Sequence, residues 1–436
     1  MAIITKLKAY EVLDSRGMPA LEAKMELLDG KSVIASVPSG ASVGSLEALE
    51  LRDGGNRYMG RGVLKAASNV NNIIAPAIIG KNVFNFKDID DVILSLDSTI
   101  NKEKLGANAT LVTSILACKA SALVRNCPLY SIFTEADDLI KASNYSFPVP
   151  LFNILNGGAH ANNNIDIQEF MIVPAGIDNI SEAIRSGAEI YAALKNILKE
   201  KGLSTAVGDE GGFAPNLSGN KEALDLIMLA VKKAGYKIGE EIYLALDIAA
   251  TEFYKDGKYN LSSENKVLTS EEFVDVIEEL VTNYPIISVE DGMAEDDFDG
   301  WKLLTKRLGN KIQLVGDDLF VTNTQILAKG IKQGLSNSIL IKANQIGTVS
   351  EALAAIKLAS LHGYSSIISH RSGETEDTTI VDIAVGTKSG QIKTGAPARG
   401  ERTAKYNQLL RIYQDFPKMK YAGKSAFQYF KQEILV

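Results

Sequence analysis

From Tyr243 onward the chain repeats one phrase: a short, nearly unbroken apolar run ends in an ionisable residue and gives way to an amphipathic segment about one helix long. The runs are YLALD ending at Asp247, IISVE at Glu290, IQLVGD at Asp317, SILIK at Lys342, SSIISHR at Arg371 and QIK at Lys393. Their ends lie 43, 27, 25, 29 and 22 residues apart, which leaves room for a strand, a helix and two loops and is too long for a hairpin. Near-continuous apolar strands alternating with helices imply parallel strands covered on both faces. An open doubly wound sheet would carry a Gly-rich dinucleotide-binding turn directly after an early strand, and none stands there. A TIM-type (β/α) barrel is therefore the expected fold. It also accounts for the charged endings, because barrel enzymes assemble their sites at the C-terminal ends of the strands. One charge after an apolar run is usually a solvated loop residue, whereas six in succession predict a common rim.

The N-terminal part has a different grammar. Residues from roughly 2 to 13, 20 to 28 and 31 to 37 are strand-like and separated by the turn-rich DSRGMP and LDGK, which predicts a three-stranded antiparallel meander. From about 56 to 126 the periodicity is helical, and ATLVTSILACKASALV, apolar nearly all round, predicts a buried helix. The acidic and Pro-punctuated FTEADDLIKASNYSFPVP places a domain boundary near residue 140. The expected organisation is an N-terminal α+β cap over 1–140 and an α/β barrel over 141–436, in keeping with a chain too long for one ordinary core.

Composition narrows the function. With 46% apolar and 23% charged residues the chain is globular. A net charge of −7 argues against a broad nucleic-acid surface, which needs clustered cations, but leaves room for a small anionic substrate in a local basic pocket. Cys118 and Cys127 are too few for a disulfide framework and fit apolar packing in a reducing cytosol. The opening MAIITKLKAYEVLD does not read as a targeting segment, and no stretch reads as long enough to cross a bilayer, so a cytoplasmic protein without a membrane span is expected.

Asp247, Glu290 and Asp317 end three consecutive runs and offer hard oxygen ligands without Cys or His, a set that suits Mg²⁺ or Mn²⁺ and not zinc. Taken singly, each is more readily a helix cap or loop carboxylate than a metal ligand; convergence on one rim reverses that for the trio. Lys342 and Lys393 are either exposed lysines capping their strands or buried ammoniums. If they share a rim with two divalent cations, repulsion should depress a lysine pKa from ~10.4 toward neutrality. A shift of about 3 units corresponds to roughly 4 kcal/mol and would make one lysine a base. Two Gly-rich segments carry further candidates: GDEGGFAPN at 208–216 holds Glu210, and NGGAHANNNIDIQE at 156–169 holds His160, Gln168 and Glu169. Such segments, like SGASVG at 39–44, are more often plain turns. His370, Arg371 and Ser372 form the best phosphate-binding candidate, since guanidinium and hydroxyl donors suit phosphate oxygens.

The motifs DSRG at 14–17, SGAS at 39–42, GDEGGFAPN, LALD, SVEDG, LVGDD, IKANQIGT, SHRSGETED and GAPARGERTAKYNQLLR resemble the enolases, phosphopyruvate hydratases, in order and spacing from end to end. The resemblance implies dehydration of 2-phosphoglycerate to phosphoenolpyruvate, a reversible step of glycolysis and gluconeogenesis, with two Mg²⁺ per active site. By that likeness Asp247, Glu290 and Asp317 hold the first ion, and Ser42 on a mobile loop helps to hold the second. Lys342 takes the C2 proton, and Glu210, supported by Glu169 and His160, assists departure of the C3 hydroxyl. Gln168 also faces the substrate, His370, Arg371 and Ser372 face its phosphate, and Lys393 lies beside its carboxylate. The likeness further implies a homodimer or a higher homo-oligomer up to an octamer, with Arg16 and Glu401 at the interface, and is compatible with an additional cell-surface or secreted pool. Asn162, Ala343 and Ala398 depart from the usual pattern, and the small Ala343 predicts looser packing beside Lys342.

The chemistry explains why such a set is needed. Removing a proton next to a carboxylate makes a dianionic enediolate, on a substrate whose phosphate already carries about −1.5 to −2. Cations must meet that charge where it develops. Hydroxide is a poor leaving group and needs an acid, so Glu210 is expected to be protonated near neutral pH through burial or the neighbouring Glu169. Two other readings compete: a barrel lyase or racemase acting on a non-phosphorylated carboxylate, against which Arg371 and Ser372 speak, and a scaffold protein that has kept the fold, against which the full set of ionisable residues speaks.

Overall fold

The computed structural model describes residues 2–40, 44–135 and 145–430. The boundary expected near residue 140 and the loop residue Ser42 both lie outside the described residues. In the N-terminal part, β1 (Ile4–Leu13) pairs antiparallel with β2 (Pro19–Leu27), which pairs antiparallel with β3 (Ser32–Ser36). The first turn is built by DSRG itself. Asp14 Oδ1 accepts the backbone N–H groups of Arg16 and Met18 at 2.8 and 2.9 Å, and Gly17 takes the left-handed φ of +71° that a side chain would disfavour.

In this cap α1 (Phe86–Leu96) and α3 (Leu129–Glu135) pack against α2 (Ala107–Arg125), and α2 packs against the sheet. Fifteen of the nineteen residues of α2 are buried, because the sheet covers one side and the segment following Lys342 covers another. Among the described residues this is the one helix long and apolar enough to cross a membrane, contrary to the expectation that no stretch qualifies. Its apolarity is accounted for by its place at the centre of the cap. Both cysteines are free thiols, Cys118 buried in α2 and Cys127 half-buried just beyond it.

The remainder closes into an eight-stranded barrel in the order β7 (Ile286–Glu290), β8 (Gln313–Gly316), β9 (Ser338–Ile341), β10 (Ser365–Ser369), β11 (Gly390–Lys393), β4 (Val149–Asn156), β5 (Glu169–Val173), β6 (Tyr243–Asp247). The six runs read from the sequence are the consecutive strands β6 to β11, and all pair in parallel. The barrel is not parallel throughout, because β5 runs antiparallel to both β4 and β6. Below the rim the interior is filled by a reciprocal amide pair, Gln313 Nε2 to Gln391 Oε1 at 2.9 Å and Gln391 Nε2 to Gln313 Oε1 at 2.7 Å. The barrel is thus a packed core and not a channel.

Helices pack outside the strands; two of them matter most for the site. α4 (Val349–Leu361) follows β9, and α5 (Gly400–Asp415) follows β11. The cap grips the start of α4. Thr110 donates to the carbonyl of Gly347 at 2.7 Å, Ser114 Oγ accepts the N–H of Val349 at 2.9 Å, and Asp90 Oδ2 accepts from Ser350 N and Oγ at 3.1 and 2.6 Å. Burial pushes the Asp90 carboxyl up to about 6, since only one of its oxygens finds partners. A carboxyl raised on folding adds stability that is complete below its unfolded pKa near 3.8 and is lost as pH rises through about 6. Asp90→Asn, which keeps an acceptor for Ser350, should therefore gain on the wild type between pH 4 and 7 by roughly 2–3 kcal/mol in denaturant titrations. A stability difference that does not vary with pH would contradict this account of the cap–barrel joint.

Candidate active site

The rim collects the sequence candidates as the strand ends dictate. Asp247 and Glu290 are the last residues of β6 and β7 and stand opposite each other in register. Asp317 follows β8 by one residue, Lys342 follows β9 by one, His370 to Ser372 lie just past β10, and Lys393 ends β11. Glu169 reaches the same rim from the other direction: it is the first residue of the antiparallel β5, in register with Asp247. All of these but Glu290 line one cavity together with His160, Gln168 and Glu210, and Glu290 is bonded to Lys393 of that lining. The side chains leave only about 20 Å³ between them, space for a single water, so a substrate must part them. A far larger cavity of about 1140 Å³ adjoins the starts of β10 and β11, but its scattered serines and lysines, with Asp415 the one carboxylate, converge on nothing.

Charge organises the rim. The Lys393 ammonium is buried within reach of three carboxylates, Glu290 at 2.8 Å, Asp247 at 2.9 Å and Glu169 at 3.1 Å. Burial alone would lower its pKa, but the three anions hold it well above its ordinary value. Lys342 is bonded to Asp317 and is likewise held above the usual lysine range against the effect of burial. The depressed lysine expected from the sequence is conditional on two divalent cations sharing the rim. Lys342 is not loosely held beside Ala343. Its N–H donates to Thr322 Oγ1 at 2.9 Å, and Gln345 bridges Thr322 and Asp317 at 2.8 and 2.9 Å.

On the opposite wall, Glu169 and Glu210 flank His160, whose Nδ1 lies 3.5 Å from one and 3.8 Å from the other. Burial and the Glu210 carboxylate push Glu169 well above the carboxyl range. Burial would raise Glu210 too, but His370, His160 and Arg402 around it hold it well below. Asn153 Nδ2 adds a hydrogen bond to its Oε2 at 3.0 Å. The upward shift thus falls on Glu169, whereas the sequence reading expected it on Glu210. Burial lowers His160 below its usual pKa and keeps it neutral.

Three residues to which the sequence reading assigned no role, Asp291 and Arg402 within the quoted motifs and Glu47 outside them, now have contacts. Glu47, from the cap, accepts from Arg371 at 2.8 and 3.2 Å. Asp291 accepts the N–H groups of Asp317 and Asp318 at 2.9 and 3.0 Å and so shapes the turn that carries Asp317. Arg402 is buried against His370. Arg16 and Glu401, expected at a subunit interface, are engaged within the chain with Asp14 and Arg399.

The carboxylates fit a hard divalent cation. They supply oxygen donors only, and one oxygen each of Glu290 and Glu169 is buried with no hydrogen-bond partner. The oxygens of Asp247, Glu290 and Asp317 are spread over three strand ends and drawn toward the two lysines. Among the described residues, tighter clusters are Asp291 with Asp317 and Asp318, and His160 with Glu169 and Glu210. In the first, both oxygens of Asp291 are already taken by backbone N–H groups.

Family models agree with this geometry along nearly the whole chain. The enolase N-terminal domain matches residues 4–133, and the enolase C-terminal TIM barrel domain matches residues 144–430. The chain belongs to the enolase family. Enolase membership carries lyase activity of the enolase type, a small-molecule substrate and, across the family, Mg²⁺ binding. For this enolase-family chain, calorimetric titration with Mg²⁺ should show saturable binding, and Asp317→Ala should weaken it by more than about tenfold without loss of the fold. Unchanged affinity in that variant would remove Asp317 from the metal site.

Proposed function

We propose that the chain is a phosphopyruvate hydratase, dehydrating 2-phosphoglycerate to phosphoenolpyruvate. The observation that carries this reading is the placement of base and acid. Lys342 follows β9 and Glu169 opens β5, four strands away in either direction around the closed barrel, so the two stand diametrically across the mouth. A substrate between them meets Lys342 on one face and the Glu169–Glu210 pair on the other, the arrangement that loss of a proton and a hydroxyl from opposite faces requires.

In this mechanism Lys342 leaves Asp317, gives its own proton to solvent and, as the neutral amine, takes the one on C2. Lys393 keeps its ammonium beside the substrate carboxylate. Asp247, Glu290 and Asp317 would hold Mg²⁺, with Ser42 serving a second ion, and the metal would supply positive charge where the enediolate forms. Glu210, passing on a proton taken up from Glu169, then protonates the departing C3 hydroxyl, with Gln168 and His160 lining that wall. Arg371 exchanges the Glu47 carboxylate for the substrate phosphate, an anion of similar bidentate geometry, and His370 and Ser372 complete that end. The same reading places the enzyme in the cytoplasm as a homo-oligomer.

Purified protein with Mg²⁺ and 2-phosphoglycerate should develop the ultraviolet absorbance of the enol phosphate, and a chelator should stop it. No change with any divalent metal would sink the proposal. Arg371→Ala should lower kcat/KM by about 10²–10³-fold, and Arg371→Lys should recover little of it, because a point charge does not reproduce the fork. A normal kcat/KM in Arg371→Ala would take this residue out of the site.

A further inference from the structure

We infer that Arg402 is a positioning residue that fixes the tautomer of His370, placing the imidazole proton on Nε2 and directing it at Glu210. Arg402 is fully buried near the start of α5. Its Nη1 lies 2.5 Å from His370 Nδ1 and 2.6 Å from the carbonyl oxygen of Arg371. Its Nη2 donates to the carbonyls of Ser372 at 2.5 Å and Asp209 at 3.0 Å. A guanidinium has five N–H donors, no acceptor and a permanent charge. The ring nitrogen that faces it must therefore offer a lone pair, and the single proton of the imidazole goes to Nε2. That nitrogen is 3.2 Å from Glu210 Oε2, the oxygen that Asn153 also bonds. The two groups are not yet well aligned, as is common before substrate tightens a site.

One side chain thus sets three things together. It holds the backbone of the segment 371–372 that faces the substrate phosphate and the backbone at Asp209, next to Glu210. It also leaves His370 able only to donate toward Glu210. Burial, together with the adjacent guanidinium, keeps His370 from taking a second proton, lowering it to about 3. A lysine could supply the charge, but its donors radiate from one point and cannot span the ring and three carbonyls. The tautomer follows from the distances alone; its catalytic consequence rests on the role proposed for Glu210.

The test uses the full chain labelled with ¹⁵N-histidine, which contains only three histidines, His160, His362 and His370. Two-bond ¹H–¹⁵N correlation at pH 7, with His370 assigned by its loss in His370→Gln, reads the tautomer directly. The expected spectrum has an unprotonated Nδ1 and a protonated Nε2. A protonated Nδ1, in either the other tautomer or an imidazolium, overturns the inference, whether or not any Arg402 variant folds. In Arg402→Gln the fixed pattern should give way to a mixture, and kcat should fall about 10–100-fold with a smaller change in KM. Arg402→Lys should restore little of either. A folded Arg402→Gln protein that keeps the wild-type tautomer also overturns the inference. Loss of the tautomer with an unchanged kcat would instead overturn the role given to Glu210.

Discussion

The buried ammonium of Lys393, held by Asp247, Glu290 and Glu169, is the interaction on which the site depends. Carboxylates this close and this far from water could not all remain ionised alone. A lysine at the end of β11 meets carboxylates from β5, β6 and β7, so one cation ties four strands at the mouth of the barrel. Removing one member of such a buried set typically costs 3–5 kcal/mol, because the others are left uncompensated. The same crowding makes the site reactive: each lysine–carboxylate bond marks a place that a metal ion or a substrate carboxylate can take over.

The cap contributes more than cover. Its helix α2 and Asp90 on α1 hold the turn at 347–350, a few residues past Lys342, and its Glu47 reaches the guanidinium of Arg371. Lys342 and Arg371 are thus both steadied by contacts from outside the barrel. Arg371 already grips an anion, so under the proposed function an arriving phosphate would replace a partner and would not have to order a free side chain, which would lower the entropic cost of binding.

The rim was legible because a parallel barrel strand delivers its last residue to the active face, and six runs in succession end in an ionisable group. β4 and β5 escaped the same reading for a physical reason. β5 is antiparallel, so the residue it brings to the rim is its first, Glu169, and β4 ends in the uncharged Asn156. Both therefore looked like flanks of a Gly-rich loop. The meander and the buried helix were visible in alternation and periodicity, but the reason for the helix's all-round apolarity lay in tertiary packing. Protonation was the least legible property. The upward shift falls on Glu169 and not on Glu210 because Glu210 is the one surrounded by His370, His160 and Arg402, residues up to 192 positions away in the chain.

The central claim is that Lys342 and Glu210 act from opposite sides of the mouth on separate steps, and exchange of the C2 hydrogen separates those steps. The decisive measurement is nuclear magnetic resonance of 2-phosphoglycerate incubated in deuterated water with Mg²⁺ and each variant. Lys342→Ala should lose both deuterium incorporation and product, since no enediolate forms. Glu210→Gln should keep appreciable incorporation while losing most dehydration, since the intermediate forms and cannot expel its hydroxyl. Loss of exchange in Glu210→Gln as complete as in Lys342→Ala would contradict the division of labour across the rim.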